Sequence, residues 1–234
     1  MTGYINSFQS LGASDGPGIR FVVFMQGCPL RCGVCHNPDT WQIQVGKTYS
    51  AKEVCDMVER YKTYFGKDGG ITVSGGEPLM QPEFVKELFF ECKKRNINTC
   101  LDTSGIVLND KVKKMLEYCD LVLLDIKYTD EENYNKYVGC SLSLPLGFLD
   151  YLDLIDKPVW LRQVIVPTLH DNKENLSKLC EISKSHKNVV KTELLPFRKI
   201  CKSKYDSMNM EFAFDKYDAP SMVYIDELYK KYFT

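Results

Sequence analysis

Short apolar runs alternate with amphipathic helical patterns along most of this chain. The run RFVVFMQ at residues 20–26 comes first, and a helical pattern then begins at Ser50, where Ser50 and Glu53 have the spacing of a capping box. Further strand-like runs are GITVSGG (70–76), INTCLDTSG (97–105), DLVLLDIK (120–127), PVWLRQVIVP (158–167) and KTELLPF (191–197), and helical patterns separate them. This alternation predicts parallel strand pairing with right-handed crossovers.

The number of strand–helix units and the place of their polar residues narrow the choice of fold. About six such units can be counted, whereas a complete barrel needs eight and typically about 250 residues. Polar or glycine-rich residues follow nearly every strand, at 28–36, 75–77, 102–104, 125–127 and Arg198. A barrel builds its site from many strand ends, but a doubly wound sheet uses one switch point. We therefore predict an α/β fold, a partial and open parallel β/α barrel, as one domain over residues 1–234.

Charge and hydropathy exclude several classes of partner. The formal net charge is −1, which gives no electrostatic reason to expect nucleic acid. The N-terminal MTGYINSFQS lacks the basic and apolar regions of a secretory signal, and no apolar run reaches the roughly 18 residues of a membrane span. We therefore expect a cytoplasmic protein with neither a nucleic-acid nor a membrane partner.

Ten cysteines are present, and in the cytosol they should be thiols or metal ligands rather than disulfides. Seven are scattered singly and are best interpreted as small buried apolar residues. Cys28, Cys32 and Cys35 instead stand within eight residues, directly after the first strand. This C-x3-C-x2-C spacing predicts a site for a soft or borderline metal.

Zinc and an iron–sulfur cluster are the two candidates for this cysteine triplet. Zinc would need His36 as a fourth ligand, but His36 is adjacent to Cys35, which makes joint ligation awkward. Zinc sites also usually add a second, distant ligand pair, which the chain lacks. Three thiolates on a four-iron cluster would leave one iron open for a substrate or cofactor, and the pattern favours this arrangement.

Five motifs carry a resemblance to a known family. DGPGIRFVVFMQGCPLRCGVCHNPDTW, SGGEPL, CLDTSG, LLDIK and ELLPF together resemble the radical S-adenosylmethionine (SAM) enzymes, in particular those that activate glycyl radical enzymes such as pyruvate formate-lyase. The resemblance covers essentially the whole chain. It implies that Cys28, Cys32 and Cys35 hold a 4Fe-4S cluster and that SAM occupies the open iron.

The resemblance also implies a reaction and its partners. One electron from the reduced cluster splits the sulfonium of SAM, and the resulting 5'-deoxyadenosyl radical removes a Cα hydrogen from a glycine of the partner enzyme. The implied protein substrate is pyruvate formate-lyase, and the implied electron donor is a flavodoxin or ferredoxin. The only cysteine between Cys35 and Gly75 is Cys55. An added ferredoxin-like cluster needs about four cysteines, so this segment has no room for one.

Individual roles follow from the same resemblance. The implied SAM contacts are Val34, Cys35, His36, Gly75, Gly76, Glu77, Asp125, Ile126, Lys127 and Arg198. The implied ligands of a monovalent cation are Asp102, Thr103, the Leu123 carbonyl and Asp125. Lys127 and Arg162 lie on predicted strands, where they would be costly charges in a barrel interior, so we expect them to meet an anionic partner and to be catalytic residues. The third candidate catalytic residue is Asp15, in the turn where the resemblance implies that the glycine loop of the partner enters.

Simpler interpretations of these residues stay open at this point. The Gly75–Gly76 doublet could be only a turn, and His36 a partly exposed loop residue. Asp102 could cap a turn while Asp125 pairs with Lys127. Arg198 stands where the family commonly has histidine; because arginine stays protonated, its contact with SAM is in doubt.

Two other functions also stay open. One is the same chemistry on another glycyl radical enzyme, such as an anaerobic ribonucleotide reductase. The other is a non-catalytic zinc or iron–sulfur protein.

Overall fold

A computed structural model describes residues 1–234 and contains eight strands and eight α-helices. The strands are β1 (Thr2–Gly12), β2 (Arg20–Met25), β3 (Lys47–Ser50), β4 (Gly70–Gly75), β5 (Asn98–Thr103), β6 (Leu121–Asp125), β7 (Val159–Ile165) and β8 (Val189–Pro196). The helices are α1 (Ala51–Glu59), α2 (Pro82–Lys94), α3 (Asp110–Leu116), α4 (Glu131–Tyr137), α5 (Ser143–Leu154), α6 (Lys173–Ser185), α7 (Lys202–Ser207) and α8 (Met222–Phe233). All six strands expected from the sequence are present. Strands β1 and β3 and helices α4 and α7 were not expected from the sequence.

The residues group into two compact units, one formed by 1–29 and 40–123 and the other by 30–39 and 124–234. In the first unit the strand order is β3-β1-β2-β4-β5, and β6 begins there; in the second unit the order is β6-β7-β8. The predicted open, partial α/β barrel is confirmed. The expectation of a single domain stays a prediction.

The sheet is mixed rather than purely parallel. Strand β1 is antiparallel to both β2 and β3, whereas β2–β4, β4–β5 and β7–β8 are parallel pairs. The parallel prediction was therefore incomplete at the β1–β3 edge. Antiparallel neighbours need no crossover helix, so the alternation of strands and helices gave no sign of them.

In the first unit, one face of the sheet packs on helices and the other carries polar side chains. A Cβ atom on Gly3 would lie 2.4 Å from the Phe84 ring of α2, so helix α2 covers the face of the sheet to which residue 3 belongs. Ile5 is on the same face of β1, and its partner on β2 is Met25. Side chains alternate along a strand, and therefore Ser74 and Asp102 lie on the opposite face. Helix α1 begins at the predicted capping box, in which Ser50 accepts from the Glu53 amide.

In the second unit, a buried polar network links β7 to α6. Gln163, His170 and Asn175 are all buried and hydrogen-bonded to one another or to nearby main chain. Buried polar groups of this kind give a core a defined arrangement when every member has a partner. No helix of the chain is both long and apolar enough to cross a bilayer.

Candidate functional site

We call residues 26–41, which carry Cys28, Cys32 and Cys35, the cysteine loop. This loop begins in the first unit, directly after β2. The Gly27 amide donates to the Thr40 carbonyl at 2.7 Å, and the Cys28 amide donates to the Trp41 carbonyl at 3.3 Å. Gly27 has a φ of 101°, in the region that favours glycine, and it turns the chain away from the strand. Cys28 is thereby held at the C-terminal end of β2 with a half-buried side chain.

Cys32 and Cys35 lie in the second unit, within one tight turn. The Cys35 amide donates to the Cys32 carbonyl at 3.0 Å. The C-terminal end of α4 holds this turn, because the Tyr137 carbonyl accepts from the Gly33 amide at 2.9 Å. Both cysteine side chains are half-buried.

The donor chemistry of the loop fits the 4Fe-4S cluster that the sequence implied. Of the other seven cysteines, six are buried, so accessible thiols concentrate on this loop. No group of three or more histidine, cysteine, aspartate or glutamate side chains is gathered closely enough to hold one metal ion. A four-iron cluster does not need such a group, because each protein thiolate binds a different iron.

His36 is a half-buried residue of this loop, and its side chain has a main-chain partner. Its Nε2 lies 2.9 Å from the Arg198 carbonyl oxygen, and because a carbonyl only accepts, Nε2 carries the proton. Burial lowers the pKa of His36, and the hydrogen bond to Arg198 offsets this only in part. The imidazole is therefore neutral, and only Nδ1 has a lone pair to offer. Val34, also predicted to frame SAM, is half-buried in the same loop.

Gly75 and Gly76 are required by close packing of the main chain inside the first unit. A Cβ atom on Gly75 would lie 2.3 Å from the Met25 nitrogen, and one on Gly76 would lie 2.4 Å from the Gly27 oxygen. Gly75 also has a φ of 104°. The glycines thus let the end of β4 pass against β2, whereas the sequence predicted them as glycines that approach a ligand. Their contact with SAM stays a prediction.

Glu77 is buried, and its carboxylate is occupied by protein donors. Oε1 accepts from the Thr103 hydroxyl at 2.6 Å and the Leu79 amide at 3.1 Å, and Oε2 accepts from the Ser104 amide at 3.0 Å and the Ser104 hydroxyl. Burial raises the pKa of Glu77, and these hydrogen bonds oppose that rise. The side chain therefore ties the segment after β4 to the end of β5.

The residues predicted to hold a cation divide between the two units. In the first unit, Asp102 accepts from the Ser74 hydroxyl at 2.7 Å, Thr103 donates to Glu77, and Leu123 is buried in β6. Asp125 lies in the second unit. The cation site stays a prediction.

Asp125 is paired with both of the basic residues that were expected to need an anionic partner. Lys127 Nζ lies 2.6 Å from Oδ2, and Arg162 Nε lies 3.0 Å from Oδ1. Burial alone would raise the pKa of Asp125, but Arg162 and Lys127 outweigh it and lower the pKa to about 2. The pairing with Lys127 that the sequence left open is therefore present.

The main chain that carries Lys127 is held from both sides. The Ile126 amide donates to the Arg162 carbonyl at 2.9 Å, and the Ile126 carbonyl accepts from Gln163 at 3.1 Å. His170 Nδ1 accepts from the Val166 amide at 3.1 Å, so Nε2 donates to the Lys127 carbonyl at 3.0 Å. Ile126 thus uses its polar atoms within the protein, and its predicted contact with SAM is untested.

The guanidinium of Arg198 has a protein partner in the structure. Its Nη1 donates to the Pro220 carbonyl at 3.2 Å, while its own carbonyl accepts from His36. The predicted contact between Arg198 and SAM stays a prediction.

Asp15 lies at the edge of the first unit where the parallel strands begin, at the opposite end from Gly75. The Asp15 carbonyl accepts from the Thr72 hydroxyl at 2.7 Å. Thr72 in turn accepts from Arg20 Nε at 3.0 Å, and Arg20 is fully buried at the start of β2. The five steps along β2 between Arg20 and Met25 span roughly 17 Å. The turn at 15–18 is therefore anchored far from the cysteine end of β2, and its predicted role in peptide entry stays untested.

Several residues that shape the site were not found from the sequence. Ser74 and Ser104 lie inside the SGGE and DTSG motifs, so the motifs themselves were the available signal. His170 and Tyr205 lie far along the chain from the residues they contact, and no local pattern marks them.

Comparison with known proteins gives one family model and a set of curated relatives. A model described as a 4Fe-4S single cluster domain matches residues 14–142. The pyruvate formate-lyase-activating enzyme of Clostridium pasteurianum is 45% identical over 214 residues, which is 90% of this chain and 88% of that protein. The enzyme of the same name from Staphylococcus epidermidis is 38% identical over 98% of this chain and 95% of its own length.

Solved structures show a similar fold. A domain of a pyruvate-formate lyase-activating enzyme from Bacteroides vulgatus matches with a TM-score of 0.57 and 22% identity, over 69% of this chain and 91% of that one. A radical SAM methyltransferase from Sphaerobacter thermophilus matches with a TM-score of 0.61 and 15% identity, over 90% of this chain and 62% of that one. At these identities the likeness supports the fold alone.

Proposed function

The chain belongs to the pyruvate formate-lyase-activating enzymes, a family of radical SAM enzymes, and on this premise we propose that its substrate is the glycine loop of a pyruvate formate-lyase. The observation that carries the proposal is the 45% identity to such an enzyme over nine-tenths of the chain. The cysteine triplet and the polar strand ends described above lie within the aligned length.

The cofactors supply the chemistry of the reaction, and the protein holds and positions them. When bound, the 4Fe-4S cluster and SAM supply the electron and the 5'-deoxyadenosyl radical that takes a hydrogen atom from a glycine Cα. Cys28, Cys32 and Cys35 would hold three irons and leave the fourth for SAM. Gly75 and Gly76, kept in place by Glu77, would present main-chain groups to SAM at the end of β4.

Two basic side chains support a role for the ion-paired group in the second unit. Lys127 and Arg162 both pair with Asp125, and all three side chains are largely buried. Basic side chains favour a nearby anionic group, and we propose that this group is the SAM carboxylate. The monovalent cation at Asp102 and Thr103 belongs to the same proposal.

The electron donor and the compartment are also proposals. The reaction consumes one electron that the chain cannot itself supply, and we propose that a flavodoxin or ferredoxin delivers it. Such a donor and such a substrate are cytoplasmic proteins of anaerobic metabolism, and we place this chain with them.

The test is radical transfer to a defined partner. Anaerobically reconstituted protein, SAM and a reductant are incubated with pyruvate formate-lyase, and electron paramagnetic resonance (EPR) is used to detect a glycyl radical. We expect a doublet with pyruvate formate-lyase and none when its glycine is replaced by alanine. A doublet only with an anaerobic ribonucleotide reductase would overturn the choice of partner but keep the chemistry. Cys32→Ala should lose the iron–sulfur absorption and the doublet together.

A further inference from the structure

The second half of the cysteine loop is contacted by a segment near the C-terminus. We call this segment, residues 197–217, the C-terminal clasp. The Tyr205 hydroxyl donates to the Cys35 carbonyl at 3.2 Å. The Arg198 carbonyl, which is part of the clasp, also accepts a hydrogen bond from His36 Nε2. Two consecutive residues of the loop, one of them a predicted cluster ligand, are therefore bonded to the clasp.

Further contacts extend along the loop in both directions. Lys204 Nζ donates to Asn37 Oδ1 and to Asp39 Oδ1, each at 2.9 Å. On the other side of Cys35, a Cβ atom on Gly33 would lie 2.0 Å from the Phe214 ring, so glycine is needed for the ring to close on the loop. Residues 33, 35, 36, 37 and 39 thus all meet the clasp.

The clasp is itself a packed structure rather than a loose strap. Tyr205 and Phe212 have ring centroids 4.8 Å apart, and Phe197 lies 6.1 Å from Phe212. Phe214 also packs edge-on against Tyr137, at 5.6 Å. Tyr137 is the residue of α4 whose carbonyl binds Gly33. The loop is therefore held between α4 and the clasp.

We propose that the C-terminal clasp positions the cysteine loop and retains the cluster, with Tyr205 as a positioning residue that acts through the Cys35 main chain. The proposal rests on the iron–sulfur site itself and not on the choice of partner enzyme. Opening of this part of the loop would displace Cys35 and would break the contacts with the clasp, so the clasp should slow the loss of a cluster held there. Groups behind the ligands of a metal site commonly control retention and potential in this way.

Tyr205→Phe isolates the proposed contact. The change removes one hydroxyl and keeps the ring that packs on Phe212. A matched control is Tyr224→Phe in the same unit, where the lost hydroxyl donates to Asp171 at 2.8 Å and has no part in the clasp. Lys204→Met removes the contacts with Asn37 and Asp39 and serves as a second, independent variant.

The measurement is the rate at which an iron(II) chelator bleaches the iron–sulfur absorption of anaerobically reconstituted protein. We expect Tyr205→Phe to lose the cluster roughly two- to tenfold faster, the effect of one hydrogen bond on loop opening. Lys204→Met should also lose it faster, Tyr224→Phe should match the unaltered protein, and the EPR spectrum of the reduced cluster should change in Tyr205→Phe but not in Tyr224→Phe.

Equal bleaching rates in Tyr205→Phe, Lys204→Met and the unaltered protein would overturn the proposal. If Tyr224→Phe bleached as fast as Tyr205→Phe, the effect would be general destabilisation, and the proposal would again fail. If the unaltered protein took up no cluster, the cofactor assignment would fail, and the proposal with it.

Discussion

Arg162 Nε donates to Asp125 Oδ1 across 3.0 Å, which joins β7 to β6 inside the second unit. Lys127 binds the other oxygen of the same carboxylate at 2.6 Å. All three side chains are at least four-fifths buried, so their charges are poorly screened by solvent. Asp125 is the carboxylate that both of these buried cations share, so removal of its charge takes an ion pair from each of them.

The first prediction concerns this carboxylate. Asp125→Asn keeps the shape of the side chain but removes its charge, and we expect the free energy of unfolding of the apoprotein to fall by about 3 kcal/mol. Urea unfolding measures the change. The matched control, Asp206→Asn, breaks an exposed pair with Lys202 and should cost under about 1 kcal/mol. Similar small losses in both variants would show that the Asp125 pairing does not stabilise the second unit.

The second prediction concerns pH and His170. Burial lowers the pKa of His170 to about 4, below the roughly 6.5 of an unfolded histidine. Between those values the unfolded chain binds a proton that the folded chain does not. Stability should therefore be full above about pH 6.5 and fall as the pH drops towards 4, by up to about 3 kcal/mol from this residue.

His170→Gln tests this pH dependence. Glutamine can still accept from the Val166 amide and donate to the Lys127 carbonyl, but it does not titrate. We expect the unfolding free energy of the variant to depend less on pH between 6.5 and 4.5. Parallel pH profiles for the two proteins would contradict the prediction, because they would mean that the pKa of His170 is the same in the folded and the unfolded chain.

The third prediction concerns Glu77. Its two carboxylate oxygens accept four hydrogen bonds, and a glutamine at this position would point its NH2 group at donors. We expect Glu77→Gln to lower the free energy of unfolding by about 1–3 kcal/mol. We also expect it to weaken SAM binding, measured by calorimetry, while the iron–sulfur absorption is retained. Unchanged SAM affinity in the variant would show that Glu77 has no part in SAM binding.

The fourth prediction compares two glycines with positive φ. Gly139 has a φ of 87° with no atom within 4 Å of an added Cβ, so Gly139→Ala should cost only about 1–2 kcal/mol of backbone strain. Gly75→Ala adds a clash with the β2 main chain and should cost on the order of 4 kcal/mol or more. The measurement is urea unfolding of both variants. Equal costs would mean that β2 and β4 can separate at Gly75.

Local patterns were enough to predict most of the secondary structure. The Ser50–Glu53 capping box and the six strands of the strand–helix alternation all appear in the fold. Strand β1 was missed because TGYINSFQSLG has few apolar residues, and its pairing with β2 and β3 is antiparallel. Its place between β3 and β2 comes from tertiary pairing and not from its own propensity.

The site was less predictable where contacts join distant parts of the chain. The LLDIK motif indicated Asp125 and Lys127, and Arg162 stood out as a charge on a predicted strand. The sequence left open whether Asp125 pairs internally, and the structure shows that it does. Tyr205 lies 170 residues after Cys35, and no periodicity or spacing links them. Such contacts depend on how β8 ends and how the chain folds back, which single-sequence patterns do not encode.

The most direct test of the central claim is cleavage of SAM by the isolated protein. The chain is reconstituted anaerobically with iron and sulfide, reduced with dithionite and mixed with SAM, and 5'-deoxyadenosine is measured by chromatography. If three thiolates leave one iron of the cluster for SAM, 5'-deoxyadenosine accumulates, and Cys32→Ala abolishes it. A protein that carries its full complement of iron and sulfide yet leaves SAM intact would contradict the claim.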